Sequence, residues 1–176
     1  MKRLFRVQFV KRWAFALFLN ALLLGLPAQA FRPFSTSPGE NVALGGYDPV
    51  AYIESGNAVR GAPIFFYEWE EVLWFFKDKA NLVKFKTNPK KYSPAVGGYC
   101  TFHFSRGSAK SCDPRQFVIF KEKLYVFGSP AAKDQFLQNP NAFIEKANKN
   151  YRKALQNQEP TKEKPTALFD SLPRTL

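Results

Sequence analysis

The residues of this chain best suited to chemistry are Cys100, His103 and Cys112, which lie close together in the sequence. Cys100 and His103 offer a thiolate and an imidazole, and both groups bind transition metals. Cys100 and Cys112 could instead form a structural disulfide across a flexible loop, which an oxidising compartment would favour. A third alternative is that Cys100 is a small buried side chain without a chemical role. The sequence leaves all three alternatives open.

The secondary structure around Cys100 decides whether its thiol can meet His103. Residues 99–104 alternate as a strand does, and side chains three positions apart on a strand point to opposite faces. Cys100 would then share its face with Phe102. A Cys–His nucleophile needs direct contact and an orienting third group, for which Asp48 is the candidate. A thiol-dependent enzyme is therefore the least favoured class of function.

A second candidate site is a pocket lined by aromatic rings. Tyr47 and Tyr99 follow equivalent glycine pairs, and Tyr52 follows closely on the first of them. If the two segments meet, these rings would converge near Asp48 and Cys100, giving the apolar walls and few polar groups of a small-ligand site. We predict Tyr47, Asp48, Tyr52 and Tyr99 as ligand-binding residues. The alternatives are core packing for the rings and a turn role for Asp48, which precedes a proline.

An internal repeat indicates how these residues are positioned. Residues 73–92 recur as residues 124–143, an offset of 51 without a gap. Upstream, GGYD at residues 45–48 recurs as GGYC at residues 97–100. Two copies are too few for a solenoid. The repeat therefore predicts one domain made of two related half-units packed on each other.

Local patterns predict an α+β fold of small antiparallel hairpins and short helices. Aromatic and β-branched runs predict the hairpins, and Ser129 followed by Pro130 predicts a helix start. The predicted hairpins are 64–69 with 72–76 and 117–120 with 124–127, and the predicted helices are 79–86, 130–138 and 141–155.

Three motifs within residues 41–155 point to a family. They are GYDPVAY at residues 46–52, NPKKY at residues 88–92 and GGYC at residues 97–100. With these motifs the chain resembles a YHS domain protein, of the exported branch that carries GYDPVAY and GGYC. The resemblance implies a small α+β domain that serves as a metal-binding or sensing module, and it implies no reaction.

The chain departs from the metal-binding pattern of that family. YHS domains that carry the pattern have three cysteines, which align with Ala51, Lys77 and Asn81 of this chain. None of these three residues can supply a thiolate. The resemblance therefore carries no metal site to those positions, and Cys100 with His103 is the remaining candidate for a transition-metal ion.

The two ends of the chain differ from its middle. Residues 1–30 resemble a signal peptide, with basic residues, an apolar stretch at 13–26 and a small-residue pattern ending at Ala30. The apolar stretch is shorter than the roughly 20 residues that span a bilayer. We expect cleavage near Ala30, export to the periplasm or outside, and no transmembrane segment afterwards. Residues 31–40 are predicted to be a flexible leader, and residues 156–176 a disordered tail.

Charge narrows the range of partners. Residues 1–30 hold five of the 26 Lys and Arg and none of the 14 Asp and Glu, which leaves a net charge of +7 for residues 31–176. An exported basic protein is expected to meet an envelope protein, anionic lipid or polymer rather than nucleic acid. We predict a non-enzymatic exported module that binds a metal ion or small ligand between its half-units. The alternative is a disulfide-stapled envelope interaction protein with a basic surface.

Overall fold

The computed structural model describes residues 31–158, and within this range the chain alternates short helices with two β-hairpins. The strands are β1 (Ala62–Trp69), β2 (Val72–Phe76), β3 (Asp113–Phe120) and β4 (Lys123–Phe127). The helices are α1 (Pro49–Ser55), α2 (Lys79–Thr87), α3 (Pro89–Tyr92), α4 (Thr101–Phe104), α5 (Pro130–Gln138) and α6 (Pro140–Gln156). The predicted signal peptide and nearly all of the predicted tail lie outside the described residues.

The two hairpins form separate two-stranded antiparallel sheets, β1 with β2 and β3 with β4. Each has an irregular register near the start of its first strand, between Ala62 and Phe66 and between Asp113 and Phe117. The predicted α+β class is thereby confirmed. The order helix, hairpin, helix, helix occurs on both sides of residue 98, while common descent of the two halves stays a prediction.

A shared aromatic core joins the two halves. Trp74 and Phe76 of β2 are buried together with Leu124 and Val126 of β4. Tyr52 of α1 is fully buried at the same junction. Its hydroxyl donates to the Pro114 carbonyl at 2.8 Å, and its ring packs edge-on to Phe117 with centroids 4.8 Å apart. Because Tyr52 belongs to the first half and both partners to the second, the halves pack as one domain.

Residues 31–40, predicted to be a flexible leader, pack on the domain through their phenylalanines. Phe34 is only 8% exposed and packs edge-on to Trp74, with ring centroids 5.3 Å apart. Phe31 stacks on Tyr99 at 5.4 Å, and the Ser35 amide donates to the Gly97 carbonyl at 2.8 Å. The phenylalanines of this segment therefore complete the core, although its composition is polar overall.

The strand predicted at residues 99–104 is not formed, and that prediction is wrong. The chain turns through a short 3-10 helix, Ala95–Gly98, and then forms α4. Gly97 and Gly98 have φ values of 64° and 76°, which bend the chain away from an extended path. Cys100 consequently occupies the N-cap of α4, where an extended residue was expected.

No helix of residues 31–158 combines the length and apolarity required to cross a membrane.

A surface network on the first half gives a test of pH dependence. The Glu54 carboxylate accepts from the Tyr92 hydroxyl at 2.9 Å, from Lys84 Nζ at 3.2 Å and from Lys91 Nζ at 3.3 Å. These hydrogen bonds lower the pKa of Glu54 from 4.5 to about 2. A carboxyl with a lowered folded-state pKa stabilises the fold above its unfolded pKa, and that contribution is lost as pH falls through the folded one.

As the pH is lowered from 4.5 to about 2, we therefore expect the urea midpoint of the wild type to decrease by more than that of Glu54→Gln. The difference should shrink in high salt because the network is exposed. Glu145→Gln, at an exposed position of α6, is the control and should follow the wild type. Parallel curves for the wild type and Glu54→Gln would contradict the prediction.

Candidate functional site

Cys100 and His103 meet directly in the structure. The Cys100 Sγ atom lies 3.0 Å from His103 Nδ1. Because Cys100 caps α4 and His103 lies in its first turn, the three-residue spacing brings both side chains to the same side of the helix. The Cys100 amide donates to the Lys110 carbonyl at 2.9 Å, which fixes the backbone of the pair. The expectation that the two side chains point to opposite faces is wrong because it assumed a strand.

The two members of this pair differ in exposure. Cys100 is fully buried, whereas His103 is partly exposed. Burial first, and then the charges of Lys110 and Arg106, lower the pKa of His103 below its usual 6.5. The imidazole is therefore neutral at pH 7, which is the state that accepts a thiol proton or binds a metal ion.

Cys112 takes no part in this contact. Both cysteines are free in the structure, and the disulfide between Cys100 and Cys112 stays a prediction. Burial first, and then the neighbouring Cys100, raise the pKa of the Cys112 thiol to about 12. A thiol that stays protonated at neutral pH is a weak nucleophile and a poor partner for disulfide exchange.

The Cys100–His103 pair supplies two donors of the kind that metals prefer. A thiolate and an imidazole suit zinc, copper and cobalt. The 3.0 Å contact is somewhat shorter than the spacing of two donors on a tetrahedral ion, so a small opening of the pair would let both atoms contact one ion. No group of three or more His, Cys, Asp or Glu side chains within residues 31–158 could hold a metal ion. Any further ligand from this range of residues would therefore be a donor of another kind.

Asp48 is closed to an outside ligand, contrary to its prediction as a ligand-binding residue. Its side chain is fully buried. Its carboxylate accepts from the amides of Val50 and Ala51 in α1, from the Lys77 amide, and from Asn81 Nδ2 at 2.7 Å. The alternative prediction, a turn residue that bonds nearby backbone, fits Asp48 better. Its carboxylate also links α1 to the residue that follows β2 and to α2.

Two of the three predicted tyrosines, Tyr47 and Tyr52, lie at the same core cluster, whereas Tyr99 packs at another. Tyr52 is buried between the halves, and Tyr99 stacks on Phe31 and donates to the Arg32 carbonyl at 2.8 Å. Tyr47 is partly buried against the core that contains Tyr52 and Trp74, and it lines an open cleft. The structure thus gives no shared pocket for Tyr47, Tyr52 and Tyr99, and Tyr47 alone of the three borders this cleft.

The cleft beside Tyr47 contains residues that the sequence patterns did not single out. It has a volume of about 480 Å³, and both halves contribute to its walls. Arg60 comes from the first half, and Asp113, Pro114 and Arg115 come from the start of β3. The two arginines are 55 positions apart with no shared motif, so the spacing alone gave no signal for them.

Comparison of the chain with protein-family models, curated proteins and solved structures finds no match.

Proposed function

We propose that the protein is an exported, non-enzymatic binding module that takes a transition-metal ion through Cys100 Sγ and His103 Nδ1. The 3.0 Å contact between these atoms is the observation that carries the proposal. The predicted signal peptide, and the resemblance to a family of metal-binding or sensing modules, agree with it. Residues 31–158 offer no group of three or more His, Cys, Asp or Glu ligands, so the proposal needs further donors, such as water or a bound partner molecule, to complete the coordination.

The surroundings of the pair favour binding over catalysis. Cys100 has no exposed surface, so a substrate carbonyl cannot approach its sulfur along an open path. A metal ion is much smaller, and the partly exposed imidazole of His103 is the side from which it would approach the sulfur. Among residues 31–158, no carboxylate is hydrogen-bonded to His103, so the orienting group of a catalytic triad is missing there.

The test is a titration of the purified, reduced protein with Co²⁺, followed by the thiolate-to-cobalt charge-transfer absorption. We expect one Co²⁺ per chain, displaced by Zn²⁺, with loss of the thiolate band in Cys100→Ser and an affinity at least about tenfold lower in His103→Ala. Affinity should rise with pH because the thiol must lose its proton to bind.

Cys112→Ser is the matched control, since it removes the other thiol and leaves the pair intact. It should bind Co²⁺ as the wild type does. Equal charge-transfer absorption in the wild type and Cys100→Ser would reject the site. Rapid alkylation of Cys100 by iodoacetamide, slowed strongly in His103→Ala, would favour the thiol-enzyme class instead.

A further inference from the structure

The cleft beside Tyr47 is a second candidate site, separate from the Cys100–His103 pair, neither of whose residues borders it. Its position at the junction of the halves matters because walls from two packed units form a concave surface that neither makes alone. Its volume of about 480 Å³ falls within the range of small-molecule sites.

Arg60 brings a preorganised charge to one wall of this cleft. Its guanidinium lies over the Tyr47 ring, 5.0 Å from the centroid, and its Nη1 donates to the Gly45 carbonyl at 3.1 Å. The backbone of Arg60 also pairs with that of Tyr47. Within residues 31–158, Arg60 forms no ion pair with an acidic side chain. Its positive charge and its remaining N–H groups are therefore available to an anion.

Arg115 also lines this cleft and is held in place by Asp113. Its Nε and Nη2 donate to the two Asp113 oxygens at 3.0 Å each, and its Nη1 has no partner within residues 31–158. Because Asp113 and the rim residue Glu40 carry negative charge, the two acidic side chains of the lining equal the two arginines in number. This balance disfavours a multiply charged anion. The N–H groups that remain free on Arg60, together with Nη1 of Arg115, suit a single carboxylate.

We propose that this cleft binds a small organic monocarboxylate, with the carboxylate on Arg60 and Arg115 and the organic part against Tyr47 and Pro114. The ring of Tyr47 and the pyrrolidine of Pro114 supply apolar contact, and the arginines set the orientation. Binding here does not require the metal, so the outcome is independent of the Cys100–His103 proposal.

The experiment is a titration of the ¹⁵N-labelled full chain with benzoate, followed by amide chemical shifts. Benzamide, which has nearly the same shape and no charge, is the ligand control. We expect benzoate to shift the amides of Tyr47, Arg60 and Arg115 and benzamide to leave them unchanged. Arg60→Ala should weaken benzoate at least about tenfold, and Arg60→Lys by less, since a lysine keeps the charge without the fork.

Arg106→Ala is the matched protein control. Arg106 is exposed and lies over Phe102, 4.8 Å from the ring centroid, so it makes the same kind of stack away from the cleft. It should bind benzoate as the wild type does. Arg115→Ala, which removes a largely exposed side chain and should leave the fold intact, is expected to weaken benzoate as well. Unchanged benzoate affinity in both Arg60→Ala and Arg115→Ala, equal binding of benzamide, or equally tight binding of inorganic phosphate would each overturn the proposal.

Discussion

Asp48→Ala is expected to lower the free energy of unfolding by about 3–5 kcal/mol. The Asp48 side chain is fully buried, and its two oxygens accept four hydrogen bonds. Oδ1 receives the amides of Val50 and Ala51 at 2.8 and 3.3 Å, and Oδ2 receives the Lys77 amide and Asn81 Nδ2 at 2.9 and 2.7 Å. Removing the carboxylate leaves the Lys77 amide and the buried Asn81 side chain without an acceptor, in addition to a cavity.

Urea unfolding at neutral pH measures this loss, and two variants separate its causes. Asp48→Asn keeps the shape but turns an N–H₂ group toward the donors of Lys77 and Asn81, so it should remain clearly destabilised. Asp78→Ala is the control, because Asp78 caps α2 through one bond to the Asn81 amide at 2.8 Å and its side chain is 46% exposed. Its expected cost is about 1 kcal/mol. A loss in Asp48→Ala no larger than that of Asp78→Ala would contradict the buried network.

Asp48 and Cys100 hold the same place in the two halves, and this equivalence explains the candidate site. Each caps a short helix that follows a glycine-rich 3-10 turn. Asp48 bonds the free amides of its helix, whereas the Cys100 side chain makes no capping hydrogen bond and contacts His103. At this N-cap the first half therefore has a structural carboxylate, and the second half has a cysteine that contacts an imidazole.

Sequence patterns were sufficient where short-range forces decide the structure. The boundaries of β2 at 72–76 match the prediction, because a run of aromatic and β-branched residues favours a strand wherever it packs. Ser129 caps α5 as predicted, with its hydroxyl accepting from the Ala132 amide at 3.2 Å. The turn between β1 and β2 was harder to predict from the sequence, because Glu70 and Glu71 adopt positive φ values of 52° and 60° at positions where Asn or Gly is usual.

Contacts between distant segments decided the rest. Phe31 lies in a polar segment, and its contacts with Tyr99, Phe104 and Tyr151 leave it partly buried. The Cys100–His103 contact depends on a helix whose cap is a cysteine, a residue type that gives no capping signal. For the same reason the cleft of Arg60 could not be predicted, since its walls meet only when the halves pack.

Gly97→Ala is expected to cost about 3 kcal/mol or more, because it displaces residues 31–36 from the core. Gly97 has a φ of 64°, and a Cβ atom there would overlap the Pro33 carbonyl oxygen and lie 2.9 Å from the Tyr151 hydroxyl. The strained backbone accounts for only about 1 kcal/mol of this. The remainder reflects the loss of the bond from the Ser35 amide to the Gly97 carbonyl, together with the exposure of Phe34.

Gly107→Ala separates the two contributions to the cost at Gly97. Gly107 has a similar φ of 82°, but a Cβ atom there would meet nothing within 4 Å, so only the backbone strain of about 1 kcal/mol remains. Urea unfolding gives both costs, and limited proteolysis reports whether residues 31–40 have detached. We expect Gly97→Ala to be cleaved there much faster than Gly107→Ala. Equal stability and equal cleavage of the two variants would mean that the segment contributes nothing to the core.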